Sequence, residues 1–194
     1  MARFADLQLD PVVARGLKRG DRSAQATAYR TLAPAVMGMA MRILQDEGIA
    51  QEVVQDTFVE LIEKAHTLND PESVVGWVRK VAVNHCLMRI RSPWHKRRVN
   101  HEFADDSDVN NGSARIEGMQ DIERALGSLA VETRMVIWLH EVEGYTHKEI
   151  GKLLGRTASY SKSQLARGYQ RLTSLFGESR DDIEDSSSRS ARTS

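Results

Sequence analysis

The chain has 194 residues, enough for one medium domain or two small ones, and its 27 Lys and Arg balance 27 Asp and Glu. One cysteine excludes an internal disulfide, the N-terminus lacks the apolar run of a secretory leader, and no stretch approaches the roughly 20 apolar residues of a membrane span, so the expected setting is cytoplasmic. The zero net charge hides an uneven distribution. Between Ser73 and His101 there is no acid, while Arg79, Lys80, Arg89, Arg91, Lys96, Arg97 and Arg98 bring seven positive charges. Between Ile150 and Gly177 there is again no acid, with Lys152, Arg156, Lys162, Arg167 and Arg171. The acids collect in Glu102 to Asp108 and Glu178 to Asp185, and two basic segments set apart by acidic ones fit contact with nucleic acid.

Apolar residues recur at helical spacing nearly everywhere, which predicts an all-α chain. Asp10 caps a short helix that begins at Pro11 and ends in Gly16 to Asp21. Asp21 starts a longer helix whose core stations are Ala28, Leu32, Val36, Met39 and Ile43, with a kink expected at Pro34. Met37, Met39 and Met41 read as core filler. After a turn at Gln45 to Gly48, an amphipathic helix is expected from Ile49 to His66. Val54, Phe58, Leu61, Ile62 and Ala65 form its buried stripe; Glu52, Gln55, Asp56, Glu60 and Glu63 form an acidic outer face, either solvated or a docking surface for a basic partner. Asn69, Asp70 and Pro71 break the next loop.

The following helix, Ser73 to about Ser92, places Val74, Trp77, Val81, His85 and Met88 inward and Lys80, Asn84 and Arg91 on another face. Pro93 stops it, and Trp94 to Arg98 follow as a basic, partly aromatic stub. Such a face can track phosphates while aromatic rings stack on unpaired bases. Val99 to Glu117 loses all periodicity and reads as a flexible acidic linker. A second unit, 118–176, opens with Ile122, Leu126 and Leu129 on one helix and Val136, Ile137, Leu139 and His140 inward on another.

Glu143 to Leu175 then divides into two helices around a tight turn. Thr146 and Glu149 form a capping box before Ile150, Leu153 and Leu154, and Gly155 ends that helix where positive φ is wanted. The second helix has Tyr160, Leu165, Tyr169 and Leu172 as apolar stations and presents Ser159, Lys162, Ser163, Gln164, Arg167 and Arg171. This is the form of a helix-turn-helix reader of the major groove. Beyond Phe176 the composition predicts a disordered tail over 177–194.

His85, Cys86, His95 and His101 lie close in sequence, but no Cys-x-x-Cys or His-x-x-x-His pair gives them metal-ligand spacing. No phosphate loop, nucleophile elbow or His-Glu-x-x-His motif is present. No catalytic residue, metal or cofactor is expected, and the chain reads as a non-enzyme.

Two helical units joined by a linker, the first ending in a basic helix and the second in a helix-turn-helix, resemble the extracytoplasmic-function (ECF) sigma factors of bacteria from about Pro11 to Phe176. Asp21 to Tyr29 with Ala33 and Pro34 is similar to that family's opening pattern. Glu52 to Phe58 resembles its "DxVQETF" helix and Trp77 to Asn84 its "WLxRIAxN" segment. Ala125 to Leu129 with Arg134, then Glu143 to Ile150 and Leu154 with Gly155, resemble its helix-turn-helix domain. The resemblance implies a first domain, 1–98, docked on the clamp coiled coil of core RNA polymerase through Glu52, Gln55, Asp56 and Glu60. Lys80, Asn84 and Arg91 would capture the minus-ten element. The linker would span 99–117, and the second domain, near the polymerase flap, would set Lys162, Ser163, Gln164, Arg167 and Arg171 against the minus-thirty-five element of promoter DNA. An anti-sigma factor is the implied regulator. The chain departs from the family across the turn, where Arg156 replaces an apolar residue, Ser159, Tyr160 and Ser161 replace Gly-Thr-Val, and Gln164 replaces Arg. A Gln facing the groove would read adenine. The competing expectation is a stand-alone helix-turn-helix regulator, which has no use for the acidic face around Gln55 and Asp56.

Overall fold

A computed structural model of the chain describes residues 4–68, 73–92 and 124–190, and every regular element among them is helical. After a 3-10 turn at Phe4–Asp6, α1 spans Pro11–Lys18. The Asp10 carboxylate accepts from the Val12 N–H at 2.7 Å, satisfying a donor that the first helical turn leaves open. A Cβ on Gly16 would lie 2.6 Å from the Ala24 Cβ, so the missing side chain lets α1 close on its neighbour α2, Arg22–Leu44. Asp21 caps α2 through the Ser23 N–H at 2.8 Å, and this bond holds its carboxyl below the usual range. The five expected core stations of α2 are all buried, and the helix continues through Pro34. Gln45 ends it at φ 54°, the left-handed conformation that closes helices, with its N–H bonded to Met41 O.

Asp46 caps α3, Glu47–Lys64, which passes into a 3-10 turn at Ala65–Thr67; α4 spans Ser73–Arg91. α2, α3 and α4 pack on one another, and this enclosure shifts two expected stripes. In α3 the buried set is Ile49, Ala50, Val53, Val54, Thr57, Phe58 and Leu61, and Ile62 is 51% exposed rather than buried. In α4 it is Val74, Val78, Val81, Ala82, Val83, Cys86, Leu87 and Ile90. Of the expected stripe only Val74 and Val81 are fully buried; Trp77 and His85 are half-buried and Met88 is exposed. A helix covered on several sides carries apolar residues around most of its circumference, so a single 3.6-residue stripe does not fix its phase.

The second half begins with a helical turn at 124–127, followed by α5, Val131–Ile137, which runs on as a π-helical turn over Trp138–Val142. Then come α6, His147–Leu154, and α7, Ala158–Ser190. α5 and α6 both pack on α7. α7 extends beyond Phe176, where a disordered tail was expected. Between Glu178 and Ser190 there is neither proline nor glycine to interrupt a helix. The expected linker and the stub at Trp94 to Arg98 lie outside the described residues.

The halves meet where α2 packs on α5 and the π turn. Arginines line the seam: Arg134 Nε donates to Ile43 O at 3.1 Å, Arg79 Nη1 to Glu143 O at 3.0 Å, and Arg91 Nη2 to Leu153 O at 3.1 Å. The Arg42 guanidinium lies over the Trp138 ring at 5.2 Å.

Candidate functional site

α3 presents two different surfaces. Glu52 and Asp56 both pair with Arg89 of α4, at 3.2 and 2.6 Å, and Glu60 bonds to Lys64 at 2.7 Å and His85 at 3.1 Å. The Lys64 hydrogen bond, with smaller help from His85, keeps the Glu60 carboxyl below its ordinary range. These three carboxylates therefore stitch α3 to α4. Gln55 stands apart, on a groove between α2 and α3 of about 820 Å³ whose lining includes Tyr29, Pro34, Met37, Val59 and Ile62. Tyr29, Val59 and Ile62 are about half exposed, at 49%, 48% and 51%. Tyr29 also meets Phe58 edge-on at 4.8 Å, which fixes the groove wall.

α4 leaves a narrow arc uncovered. Lys80, Asn84, Met88 and Arg91 are exposed along it at spacings of four, four and three, which places them in one row. Behind the row Cys86 is sealed in the core, and burial pushes its thiol up to about 12, so it is a packing residue without reactivity.

In the second half the capping box forms as expected: Thr146 Oγ1 accepts from the Glu149 N–H at 3.3 Å, and the Thr146 N–H donates to Glu149 Oε2 at 2.8 Å. Gly155 adopts φ 66° and turns the chain. On α7, Lys162, Ser163, Arg167 and Arg171 are exposed. Gln164 is not: it is 9% exposed, and its Oε1 accepts from Thr133 Oγ1 at 2.7 Å. It lies with Ser161 and Gly168 on the buried stripe of α7, so the expected adenine reader is a packing residue that binds α5. Tyr169, expected inside, is 46% exposed and donates to Glu141 at 2.6 Å, while the Tyr160 hydroxyl reaches Glu132.

Residues 28–96 match the family described as Sigma-70 region 2, and residues 119–172 match Sigma-70, region 4. The chain belongs to the sigma-70 family. The RNA polymerase sigma factor CarQ of Myxococcus xanthus is 26% identical over 164 residues, spanning 82% of this chain and 92% of that protein. The ECF RNA polymerase sigma factor SigM of Mycobacterium tuberculosis is 27% identical over 158 residues, spanning 81% and 80%. Such relatives place this sigma factor in the ECF group. The fold is also that of the sigma factor RpoE solved with the anti-sigma factor NepR from Bartonella quintana (TM-score 0.53, 21% identity, 75% of this chain and 92% of that one). CnrH, solved with the cytosolic domain of CnrY, gives a TM-score of 0.51 at 21% identity, over 87% and 97%. Among the described residues of the sigma factor, no helix is long and apolar enough to cross a membrane, and no cluster of three His, Cys, Asp or Glu is placed to hold a metal.

Sequence reasoning passed over a histidine pair inside the helix-turn-helix of the sigma factor. His140 of the π turn and His147 of α6 stack at 4.2 Å, 22° from parallel, and His147 Nδ1 lies 3.0 Å from the Oγ of buried Ser161 on α7. Desolvation, then the charges of His140 and Lys162, hold His147 below its ordinary value of 6.5, with Glu141 opposing. The folded form therefore takes up this proton less readily than the unfolded chain, and stability present above pH 6.5 is lost as pH falls from that value through the lower value of the folded form. Urea unfolding at about pH 7.5 and about pH 5.5 is expected to show the loss, and His147→Gln to reduce it. An unchanged pH dependence in the variant removes His147 as its source.

Proposed function

We propose that this sigma factor divides its work among three surfaces: the α2–α3 groove docks a helical element of core RNA polymerase, the exposed row of α4 captures the melted minus-ten strand, and the outward face of α7 reads the minus-thirty-five element. The observation that carries this reading is the separation of roles within each helix. Lys80, Asn84 and Arg91 are exposed on a helix whose other faces are largely covered, and Lys162, Ser163, Arg167 and Arg171 are exposed on α7 beside its narrow buried stripe of Ser161, Gln164 and Gly168. Cations on a rigid helix supply salt-dependent affinity for phosphate, and the amide and hydroxyl beside them supply choice of base. Melting needs no chemical step; preferential binding of unstacked bases offsets the cost of opening the duplex. Glu52, Asp56 and Glu60 are engaged within α3, α4 and their pairings, so the core contact falls chiefly to Gln55 and the apolar rim of the groove. RpoE and CnrH are each solved with an anti-sigma partner, and by that likeness a proteinaceous inhibitor holds this chain inactive until released.

The deciding experiment is run-off transcription by purified core RNA polymerase, with and without this protein, on a randomised promoter library. Selective new transcripts that share two separated elements support the reading. DNA binding without core and without transcripts replaces it with a stand-alone regulator. Docking is tested by Ile62→Asp. Ile62 is 51% exposed, so the fold should tolerate the change, while a carboxylate on the apolar rim is expected to weaken core association by about tenfold or more. Unchanged association moves the docking surface off the groove.

A further inference from the structure

Met88 is the side chain on the α4 row that the reading above leaves without a task. It is 61% exposed, and it is the one large apolar side chain so exposed among the described residues of α4. It follows Asn84 by one helical turn and precedes Arg91 by three residues, so the three lie along one row of α4, with Arg91 also donating through Nη2 to Leu153 O at 3.1 Å. Arg91 can hold a phosphate and Asn84 can bond a base edge, but neither offers an apolar surface to the face of a base. A Met does: it is unbranched, has three rotatable bonds and carries a polarisable sulfur that packs on aromatic rings. Among the described residues the core side of α4 is filled by Val78, Ala82, Cys86 and Ile90, and Met88 is not part of that buried set.

Resting on the assignment of α4 to the minus-ten strand, we infer that Met88 packs against the face of one unstacked base of that strand. In duplex DNA base faces are covered by their neighbours, so the contact exists only after opening. It therefore adds to the preference for melted over paired DNA and sharpens the register in which the strand is held. Met88 is a selectivity residue of this site, acting through apolar contact rather than charge.

The test uses holoenzyme assembled from core polymerase and the full chain, with a fluorescent single-stranded oligonucleotide carrying the non-template minus-ten sequence of a promoter recovered from the library. Met88→Ala is expected to lower affinity by about threefold to tenfold, and Met88→Leu to retain most of it. An abasic site moved stepwise along the oligonucleotide should abolish the difference between wild type and Met88→Ala at one position only. Core association of both variants, measured in parallel, should match wild type. Affinity within twofold of wild type for Met88→Ala, or a loss unchanged by every abasic site, overturns the inference while leaving the sigma reading intact. Failure of the wild-type holoenzyme to bind the oligonucleotide removes the minus-ten role of α4, and the Met88 contact with it.

Discussion

Gly151→Val is expected to destabilise the helix-turn-helix by about 3 kcal/mol and to abolish use of the minus-thirty-five element while leaving core association in place. Gly151 lies in the middle of α6, where Gly is ordinarily unfavourable by about 1 kcal/mol relative to Ala. Its value there is spatial. A Cβ at this position would stand 2.8 Å from the carbonyl carbon of Thr157 and 2.9 Å from the oxygens of Arg156 and Thr157. All three are backbone atoms of the turn into α7, so no side chain can rotate away. The Arg156 N–H also donates to Gly151 O at 2.8 Å, which ties the turn to α6 at the same point. A branched side chain forces the turn off α6 and with it the start of α7, moving Lys162, Ser163 and Arg167 out of register. The check is chemical unfolding followed by transcription from promoters with and without an intact minus-thirty-five element. A change in stability under about 1 kcal/mol, or retained discrimination between the two promoters, contradicts the steric argument.

What could be read from the sequence follows how local each determinant is. Asp10, Asp21, Thr146 with Glu149, and Gly155 act on backbone groups within four residues, and each caps or turns as read. The α2 stations were also legible, because Ala28, Leu32, Val36, Met39 and Ile43 step by three or four along the helix, although Ala33, Ala35, Ala40 and Leu44 are buried beside them. The phases of α3 and α4 were less so, because neighbours on several sides bury more than one stripe. Ile62 and Met88, read as core, are exposed as a result. Gln164 failed for a different reason. A Gln on a basic helix looks like a base reader, and only Thr133, 31 residues away, shows that its amide is used inside. The acidic row of α3 was visible as charge, but its partners Arg89 and His85 sit on another helix, so its internal pairing was not. One missed signal was available: a Gly inside a helix, as at Gly151, marks a close approach.

Arg134→Met is the second substitution with a large expected effect, about 3–5 kcal/mol, and it tests how the halves are joined. Arg134 is 9% exposed and spreads its guanidinium across elements distant in sequence. Its Nε donates to Ile43 O at 3.1 Å; its Nη1 reaches Leu129 O at 2.9 Å, Gly127 O at 3.0 Å and Gln45 Oε1 at 3.3 Å. Ile43 lies in the last turn of α2, whose carbonyls have no successors in the helix to bind them. The second half thus completes the C-terminus of a helix that belongs to the first. Met approximates the length and apolar stem of Arg but brings no donors, so the substitution isolates the hydrogen bonds from the packing. Arg134→Lys is expected to recover only part of the loss, because a single ammonium cannot reproduce the planar fork toward carbonyls on two sides. Urea unfolding gives the magnitude, and small-angle scattering gives the consequence: with Ile43 O released, the described contact between α2 and α5 should loosen and the radius of gyration should rise. The two readouts separate the roles of the residue, since Gly127 O and Leu129 O lie within the second half and Ile43 O lies across the seam. A loss of stability with an unchanged radius assigns Arg134 to the second half alone; a loss below about 1 kcal/mol would falsify the account of a buried cation holding both.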